Sequence, residues 1–223
     1  MSADRQQFER MLAAGIDRMQ LDVPASAVTA LGAHYALLVH WAKRINLTTV
    51  VDPDEAAIKH ALDCLLFAQW IGEDAVEAVD VGSGGGFPGI VIAVVRPALR
   101  LTLLEPIRKR ASFLRVATAE LALPHVRVAE GKLLEGAQGR PWPVDLVVSR
   151  ATIPPLALVK VAAPVLRAKG RLILTGGRSM PSVAEIGAVA AASGLEHRDR
   201  HGYELPDGSR RWLDELRRPG DAP

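Results

Sequence analysis

Residues 78–89 read Ala78-Val79-Asp80-Val81-Gly82-Ser83-Gly84-Gly85-Gly86-Phe87-Pro88-Gly89. An apolar run carrying one carboxylate is followed by five glycines within eight residues, and a helical pattern begins behind them. Glycine reaches positive φ and lets backbone approach a ligand closely, so the segment predicts a strand, a ligand-wrapping loop and a helix start. Two ligands compete for such a loop. A dinucleotide requires G-x-G-x-x-G directly after the strand, with its pyrophosphate over the helix N-terminus. Counted from Gly84, that spacing runs through to Gly89, but it starts two residues late and encloses Pro88. Counted from Gly82, the pattern is Asp-x-Gly-x-Gly-x-Gly on Asp80, Gly82, Gly84 and Gly86. That signature is associated with S-adenosylmethionine, which has no phosphate to anchor. A turn without a ligand would carry the entropic cost of these glycines for nothing.

Downstream, short β-rich runs alternate with helical ones. Strands are expected at 76–81, 100–104, 125–128, 144–149 and 171–175, and helices near 88–95, 107–121, 154–166 and 182–192. Strict alternation predicts an α/β fold, a doubly wound parallel sheet of Rossmann-like kind with helices on both faces. Ligands bind such sheets at the carboxyl ends of the strands. Two charged residues stand at such ends. Glu105, 23 residues after Gly82, can accept hydrogen bonds from vicinal ribose hydroxyls, which suits a nicotinamide dinucleotide and a methyl-donor nucleoside equally. Arg150, after Asp145-Leu146-Val147-Val148-Ser149, would offer a planar fork to a carboxylate or phosphate.

Upstream, residues 1–72 read as helical. Phe8, Met11, Leu12, Ile16 and Met19 draw one apolar stripe, and Val28, Leu31, Tyr35, Leu38, Ala42 and Ile45 draw a second. Asp52-Pro53-Asp54-Glu55 reads as a helix start, with Asp52 as N-cap and Pro53 in the first position. The expected organisation is an N-terminal helical extension (1–72), a main domain (73–218) and a frayed tail (219–223). Trp212 and Leu213 are the candidates for a closing strand, with the chain fraying from Arg217.

At 223 residues, 49% hydrophobic and 23% charged, the composition is globular and excludes disorder as the main state. Cys64 is the single cysteine, which excludes an internal disulfide and a cysteine-based zinc site. A polar N-terminus and the lack of any apolar run near eighteen residues predict a cytoplasmic protein without a membrane span. Net charge is only +2, but arginine outnumbers lysine 21 to 6. One basic cluster is Arg108, Lys109, Arg110 and Arg115, with no carboxylate between Glu105 and Glu120, and another is Arg210, Arg211, Arg217 and Arg218. These clusters read either as solvated helix faces or as contacts to phosphate backbone. If Phe113 and Val116 face the sheet, the Lys109 stem is drawn inward. Arg108, Arg110 and Arg115 are then left outward as RNA-binding candidates.

Together these stretches resemble one family, the bacterial 16S rRNA (guanine-N7) methyltransferases, also called glucose-inhibited division protein B. The pieces are Trp41–Thr49 (WAKRINLTT), His60–Asp63 (HALD), Asp80–Gly89 (DVGSGGGFPG), Leu104–Leu114 (LEPIRKRASFL) and Val148–Ala151 (VSRA). The resemblance implies a class I methyltransferase sheet and S-adenosylmethionine as cofactor. It places cofactor contacts at Gly82, Phe87, the turn from Glu105, the pair Lys132 and Leu133, and Arg150. Asp80 and Gly84 join them from the glycine signature. The Lys132–Leu133 assignment allows for a three-residue insertion near Gly136–Arg140. The sequence departs from the family at Gly176, where a lysine is usual, at Ala151-Thr152-Ile153-Pro154-Pro155, and at Asp214 and Glu215 in the last strand.

The implied reaction moves a methyl group to N7 of a guanine in 16S rRNA or a small ribosomal subunit precursor, by a monomeric enzyme. Guanine N7 has a lone pair and no proton to lose, so no general base is needed and no catalytic side chain or metal is assigned. Alignment and a polar, dry setting would be the protein's work. His60 and Asp63, one helical turn apart, are expected to make a structural contact near the loop. Two other readings stay open: an NAD-dependent oxidoreductase, which would draw on Tyr35 or Tyr203 as acid, and a non-catalytic rRNA-binding protein, which leaves the glycine loop unexplained.

Overall fold

In the computed structural model, residues 2–72, 74–133, 143–150 and 153–220 are described. Among them the strands are β1 (Glu77–Val81), β2 (Arg100–Glu105), β3 (Val126–Glu130), β4 (Val144–Arg150), β5 (Leu166–Gly176), β6 (Glu196–Glu204) and β7 (Arg210–Arg217). They form one sheet in the order β3-β2-β1-β4-β5-β7-β6. β1 to β5 are parallel, whereas β7 runs antiparallel to both β5 and β6. The chain winds outward from β1 to β3, then returns to place β4 on the other side of β1. Loops leaving β1 and β4 therefore diverge and open a crevice at that switch point.

Alternation along the strands splits the core into two layers. Ala78, Leu101, Leu103, Leu146, Val148 and Ile173 face one layer, with Ile90, Ile92, Phe113 and Leu114 of α5 (Gly89–Val95) and α6 (Arg108–Glu120). Val79, Leu104, Val147, Leu172 and Leu174 face the other, with residues of α7 (Pro155–Ala162) and α8 (Val183–Ala192).

The N-terminal segments are α1 (Ala3–Arg18), α2 (Ala25–Ala42), and a bent helix made of α3 (Pro53–Ala56), a π-helical stretch (Ala57–Leu62) and α4 (Asp63–Ala68). Asp52 caps it as expected, accepting from the Asp54 and Glu55 N–H groups. Leu38, Phe67 and Ile71 pack into the same core layer as the sheet residues, so this helical part shares the sheet's core.

Several expectations need correction. β6 was not expected at all, and β7 runs past Trp212–Leu213 through Arg217, which pairs with Arg171 and Glu196 rather than fraying. Arg218 also stays tied, its N–H donating to Gly170 O at 2.8 Å. The last strand's polarity has a local answer. Asp214, fully buried, stands opposite Arg200 and accepts from it through both oxygens at 2.9–3.0 Å, with His197 at 2.6 Å. The expected helix 154–166 ends earlier, because Leu166 already begins β5. Ala151, Thr152, the Gly136–Arg140 insertion and residues 221–223 of the tail lie outside the described residues.

Candidate active site

The crevice becomes a cavity of about 560 Å³, lined by the glycine loop, the helix around Lys59–Asp63, Arg150 at the end of β4, Thr175–Gly177 after β5, and Arg211 of β7. Backbone geometry builds its floor. Gly82, Gly84 and Gly86 take φ of 74°, 53° and 89°, which carries the chain round in a space no side chain fills. A Cβ on Gly84 would meet only Gly82 O, at 3.8 Å. Gly82 and Ser83 donate to Leu104 O at 2.7 and 3.2 Å, tying the loop to β2.

Two carboxylates hold this loop from behind. Glu105, 1% exposed, accepts the Gly84 N–H on Oε2 and the Ile107 N–H on Oε1, both at 2.9 Å. Each oxygen keeps a second lone-pair direction for a further donor. Asp80 is fully buried and its Oδ2 accepts the Gly89 N–H at 3.1 Å, while Oδ1 has no hydrogen-bond partner among the described residues. Burial pushes its carboxyl up to about 7. Gly89 is needed for this contact: a Cβ there would lie 2.3 Å from Leu103 Cδ2 and 2.6 Å from Asp80 Oδ2. From the other side, His34 of α2 reaches Gly85 O at 2.9 Å. Only an Nε2–H can donate to a carbonyl, and burial lowers the ring's pKa to about 4, so the neutral tautomer is fixed.

The opposite wall is made from side chains. Arg150 donates from Nη1 to Lys59 O at 2.8 Å and to Asp63 Oδ2 at 3.3 Å, and its Nη2 lies 3.0 Å from His60 Nδ1. A guanidinium has no acceptor, so His60 Nδ1 must be unprotonated, and its Nε2–H donates to Thr48 Oγ1 at 2.9 Å. Burial and the Arg150 charge lower the His60 pKa to about 3. The His60 ring stacks on Phe87 at 4.6 Å, and the guanidinium carbon of Arg150 lies 5.3 Å from the Phe87 ring centre. Asp63 is the hub of this wall, accepting also from the Tyr203 hydroxyl at 2.7 Å and Arg211 Nε at 3.4 Å. A π-helical stretch just before Asp63 sets Lys59, His60 and Asp63 on this wall, a distortion frequent at functional sites.

Residues 28–198 match the family described as rRNA small subunit methyltransferase G. The chain belongs to that family. It is 37% identical over 183 residues to the ribosomal RNA small subunit methyltransferase G of Methylobacillus flagellatus, covering 82% of this chain and 86% of the relative. It is 36% identical over 200 residues to that of Anaeromyxobacter sp., covering 89% and 92%. Among solved structures it is similar in fold to the S-adenosylmethionine-dependent methyltransferase SibL in its apo form (TM-score 0.61, 16% identity, 95% of this chain and 74% of that one). It is similar also to M. jannaschii TYW2 in complex with AdoMet (TM-score 0.60, 12% identity, 79% and 80%). The doubly wound, Rossmann-like α/β fold stands on these likenesses and on the sheet order.

In this family member the expected site residues separate into groups. Gly82, Gly84, Phe87 and Arg150 line the cavity. Asp80 and Glu105 lie behind the loop and hold it. Lys132 and Leu133 follow β3 and do not line the cavity; Lys132 is exposed, and the Leu133 side chain is in the core. Of the basic helix, Arg108 and Arg115 are exposed, whereas Arg110 turns inward, lines the cavity and donates from Nε to Asn46 O at 2.9 Å. The helix is also rotated from the expected setting: Phe113 is buried, but Val116 is 37% exposed and Lys109 lies in solvent. His34 was missed altogether, and nothing local marks it, because it meets Gly85 from 51 residues away. Tyr203 and Arg211 were named only as a possible acid of the nicotinamide reading and as part of a basic cluster. What the sequence does not mark is their contact with Asp63, 140 and 148 residues away.

Proposed function

We propose that this chain transfers the methyl group of S-adenosylmethionine to N7 of a guanine in 16S rRNA. Family membership across residues 28–198 carries the reading, and the cavity fits the donor. When bound, S-adenosylmethionine supplies a methyl carbon on a sulfonium, open to in-line attack. Gly82, Gly84, Gly85 and Gly86 offer a backbone floor without side chains, and the Ser83 hydroxyl between them donates to Asp80 O at 3.0 Å. Glu105 has acceptor capacity for ribose hydroxyls at the end of β2, whereas a contact from the pair Lys132–Leu133, which lies outside the cavity lining, rests on the family resemblance alone. Asp80 Oδ1 is a buried acceptor still without a partner among the described residues. Arg150, held by Asp63 and His60, presents fixed positive charge to a carboxylate, and Phe87 gives a flat apolar face.

No residue of the wall is placed as a general base, in keeping with an acceptor nitrogen that loses no proton. His60 and His34 are neutral and fully engaged, His34 donating to Gly85 O and His60 accepting from Arg150 while donating to Thr48 Oγ1. The Tyr203 hydroxyl is pushed well above its ordinary range by burial and by Asp63, so it stays a donor. The protein's work is alignment and exclusion of water. The nicotinamide and non-catalytic readings draw no support from the family or its relatives. The reading includes a monomer acting in the cytoplasm, on rRNA or a small-subunit precursor, with residues 1–72 as a helical extension of the 73–218 domain. No helix of the described residues is long and apolar enough to cross a membrane. The test is incubation of under-methylated rRNA and small subunits with labelled S-adenosylmethionine, followed by mapping of the modified base. Label on a guanine N7 is expected; binding of NAD without binding of S-adenosylmethionine overturns the reading.

A further inference from the structure

The cavity holds more positive charge than a methyl donor can use. Among its lining residues Lys59, Arg110, Arg150 and Arg211 face one carboxylate, Asp63. The donor itself brings a sulfonium and an ammonium against a single carboxylate, and one guanidinium suffices for that. Further cations beside a cationic ligand repel it. Arg150 is committed, through Lys59 O, Asp63 and His60. Arg211 is held more loosely. Its Nε meets Asp63 at 3.4 Å, on an oxygen Arg150 already approaches, and its Nη1 donates to the neighbouring Arg210 O at 3.2 Å.

Across the mouth, Lys59 pairs with Glu55 at 2.7 Å on an exposed helix surface, an arrangement worth little against solvent. Glu55 raises the proton affinity of Lys59, as does Asp207, while Arg211 opposes it, so the two cations sense each other. Asp207 is the other carboxylate nearby, and it accepts from the Ser209 N–H and hydroxyl in its own turn. Arg110 closes the third side with a carbonyl, Asn46 O, as its hydrogen-bond acceptor.

We propose that Lys59 and Arg211, with Arg110 beside them, hold the phosphodiesters flanking the acceptor nucleotide of a substrate RNA. The inference rests on the methyltransferase reading and places the RNA footprint on the cavity rim instead of the outer face of α6. Arg108 and Arg115 project on that outer face, and Arg115 there reaches toward Glu130 at 3.9 Å. Three separate chain segments supply the rim cations, so a strand of phosphates can cross the mouth while its base enters.

The experiment measures binding of 16S rRNA and of small ribosomal subunits against salt concentration. The proteins are wild type, Lys59→Gln, Arg211→Gln, their double variant, and Arg108→Gln/Arg115→Gln. S-adenosylhomocysteine affinity is measured in parallel. Each rim substitution is expected to flatten the slope of log affinity on log salt by about one unit, and the outer-face pair to leave it as in wild type. Lys59→Gln, an exposed change that leaves the fold alone, is expected to keep the S-adenosylhomocysteine affinity. An unchanged slope in the double variant overturns the proposal, as does a slope that flattens only in the Arg108/Arg115 pair. Equal loss of S-adenosylhomocysteine affinity in Lys59→Gln and Arg211→Gln would assign these cations to the donor and overturn it as well. A wild type that binds S-adenosylhomocysteine but no RNA removes the rRNA substrate together with this proposal, whereas failure of the rim alone leaves that substrate standing.

Discussion

The two walls of the cavity are built on opposite principles. The glycine-loop wall is backbone held by backbone and by two buried carboxylates, and its main ties, Gly84 to Glu105 and Gly89 to Asp80, span 21 and 9 residues. The Arg150 wall is a network of side chains whose hub, Asp63, gathers donors 87, 140 and 148 residues away. A backbone wall tolerates changes of charge but not of shape. A side-chain wall centred on one carboxylate is the reverse: shape can relax, but loss of the central charge strands every donor around it.

The largest effect is therefore expected at Asp63. Asp63→Ala leaves two guanidiniums and a tyrosine hydroxyl around a site 3% exposed. Breaking a buried ion pair from one side costs about 3–5 kcal/mol. Urea unfolding should show a loss of that order, and Asp63→Asn, which keeps an acceptor, should lose less. Equal stability of Asp63→Ala and wild type would show that the hub is not what holds the wall.

Acid should reveal a second asymmetry. His34 and His60 fall from an ordinary 6.5 to about 4 and about 3, so below pH 6.5 the unfolded chain binds protons that the folded chain refuses. Stability then drops as pH falls through that window. Asp80, raised from 3.8 to about 7, binds more protons when folded, and its contribution is lost as pH rises toward 7. Two histidines against one aspartate leave a net loss on acidification. For His34 alone the change between pH 7 and pH 5 is about 2 kcal/mol. His34→Gln keeps a donor for Gly85 O, so its unfolding free energy should depend less steeply on pH than that of wild type. A parallel pH dependence in the two proteins would refute the neutral buried ring.

Most of the backbone wall was legible in the sequence, because glycines at fixed spacing and a carboxylate after the next strand are local signals. The sheet's parallel half was legible for the same reason: β1, β2, β4 and much of β5 are apolar runs. Leu166–Gly170 of β5 was not, since Arg167, Lys169 and Gly170 break the pattern. β6, with the sequence EHRDRHGYE, has no apolar alternation to detect. Arg200 and His197 on one of its faces are held by Asp214 of the next strand, a pairing visible only once the two strands are side by side. Tyr203 and Arg211 stood out in the sequence only as a possible acid and as one of a basic cluster; their meeting at Asp63 was invisible, since the β6 strand that completes their hairpin was itself unseen. The HALD stretch was noticed, but its role depends on Arg150 arriving from 87 residues away.

Glu105→Ala tests the backbone wall at its support. The substitution strands the Gly84 and Ile107 N–H groups and removes the acceptor proposed for the ribose. S-adenosylmethionine and S-adenosylhomocysteine carry the same ribose, so both should lose about 1.5–3 kcal/mol of binding, the usual worth of a hydrogen bond to a charged group. Calorimetric titration of the two ligands checks this, and wild-type affinity for both would return Glu105 to a purely structural role. Glu105→Gln sharpens the point. An amide can accept from one of the two N–H groups but turns a donor toward the other, so its loop should be looser than wild type while keeping its shape.

The smallest effect on folding, and the most selective one on binding, belongs to Gly84. Its φ of +53° disfavours any residue with a Cβ, which costs about 1–2 kcal/mol for a single position. Yet the added methyl of Gly84→Ala would touch only Gly82 O at 3.8 Å, so nothing inside the protein resists it. The methyl projects into open space at the loop, where the methyl donor is proposed to lie against backbone. The variant should therefore unfold only slightly more easily than wild type in urea, yet bind S-adenosylhomocysteine much more weakly. That split separates a loop shaped for a ligand from a loop shaped for the fold. If Gly84→Ala binds as tightly as wild type, the donor does not rest on this turn, and the glycine there serves the chain reversal alone.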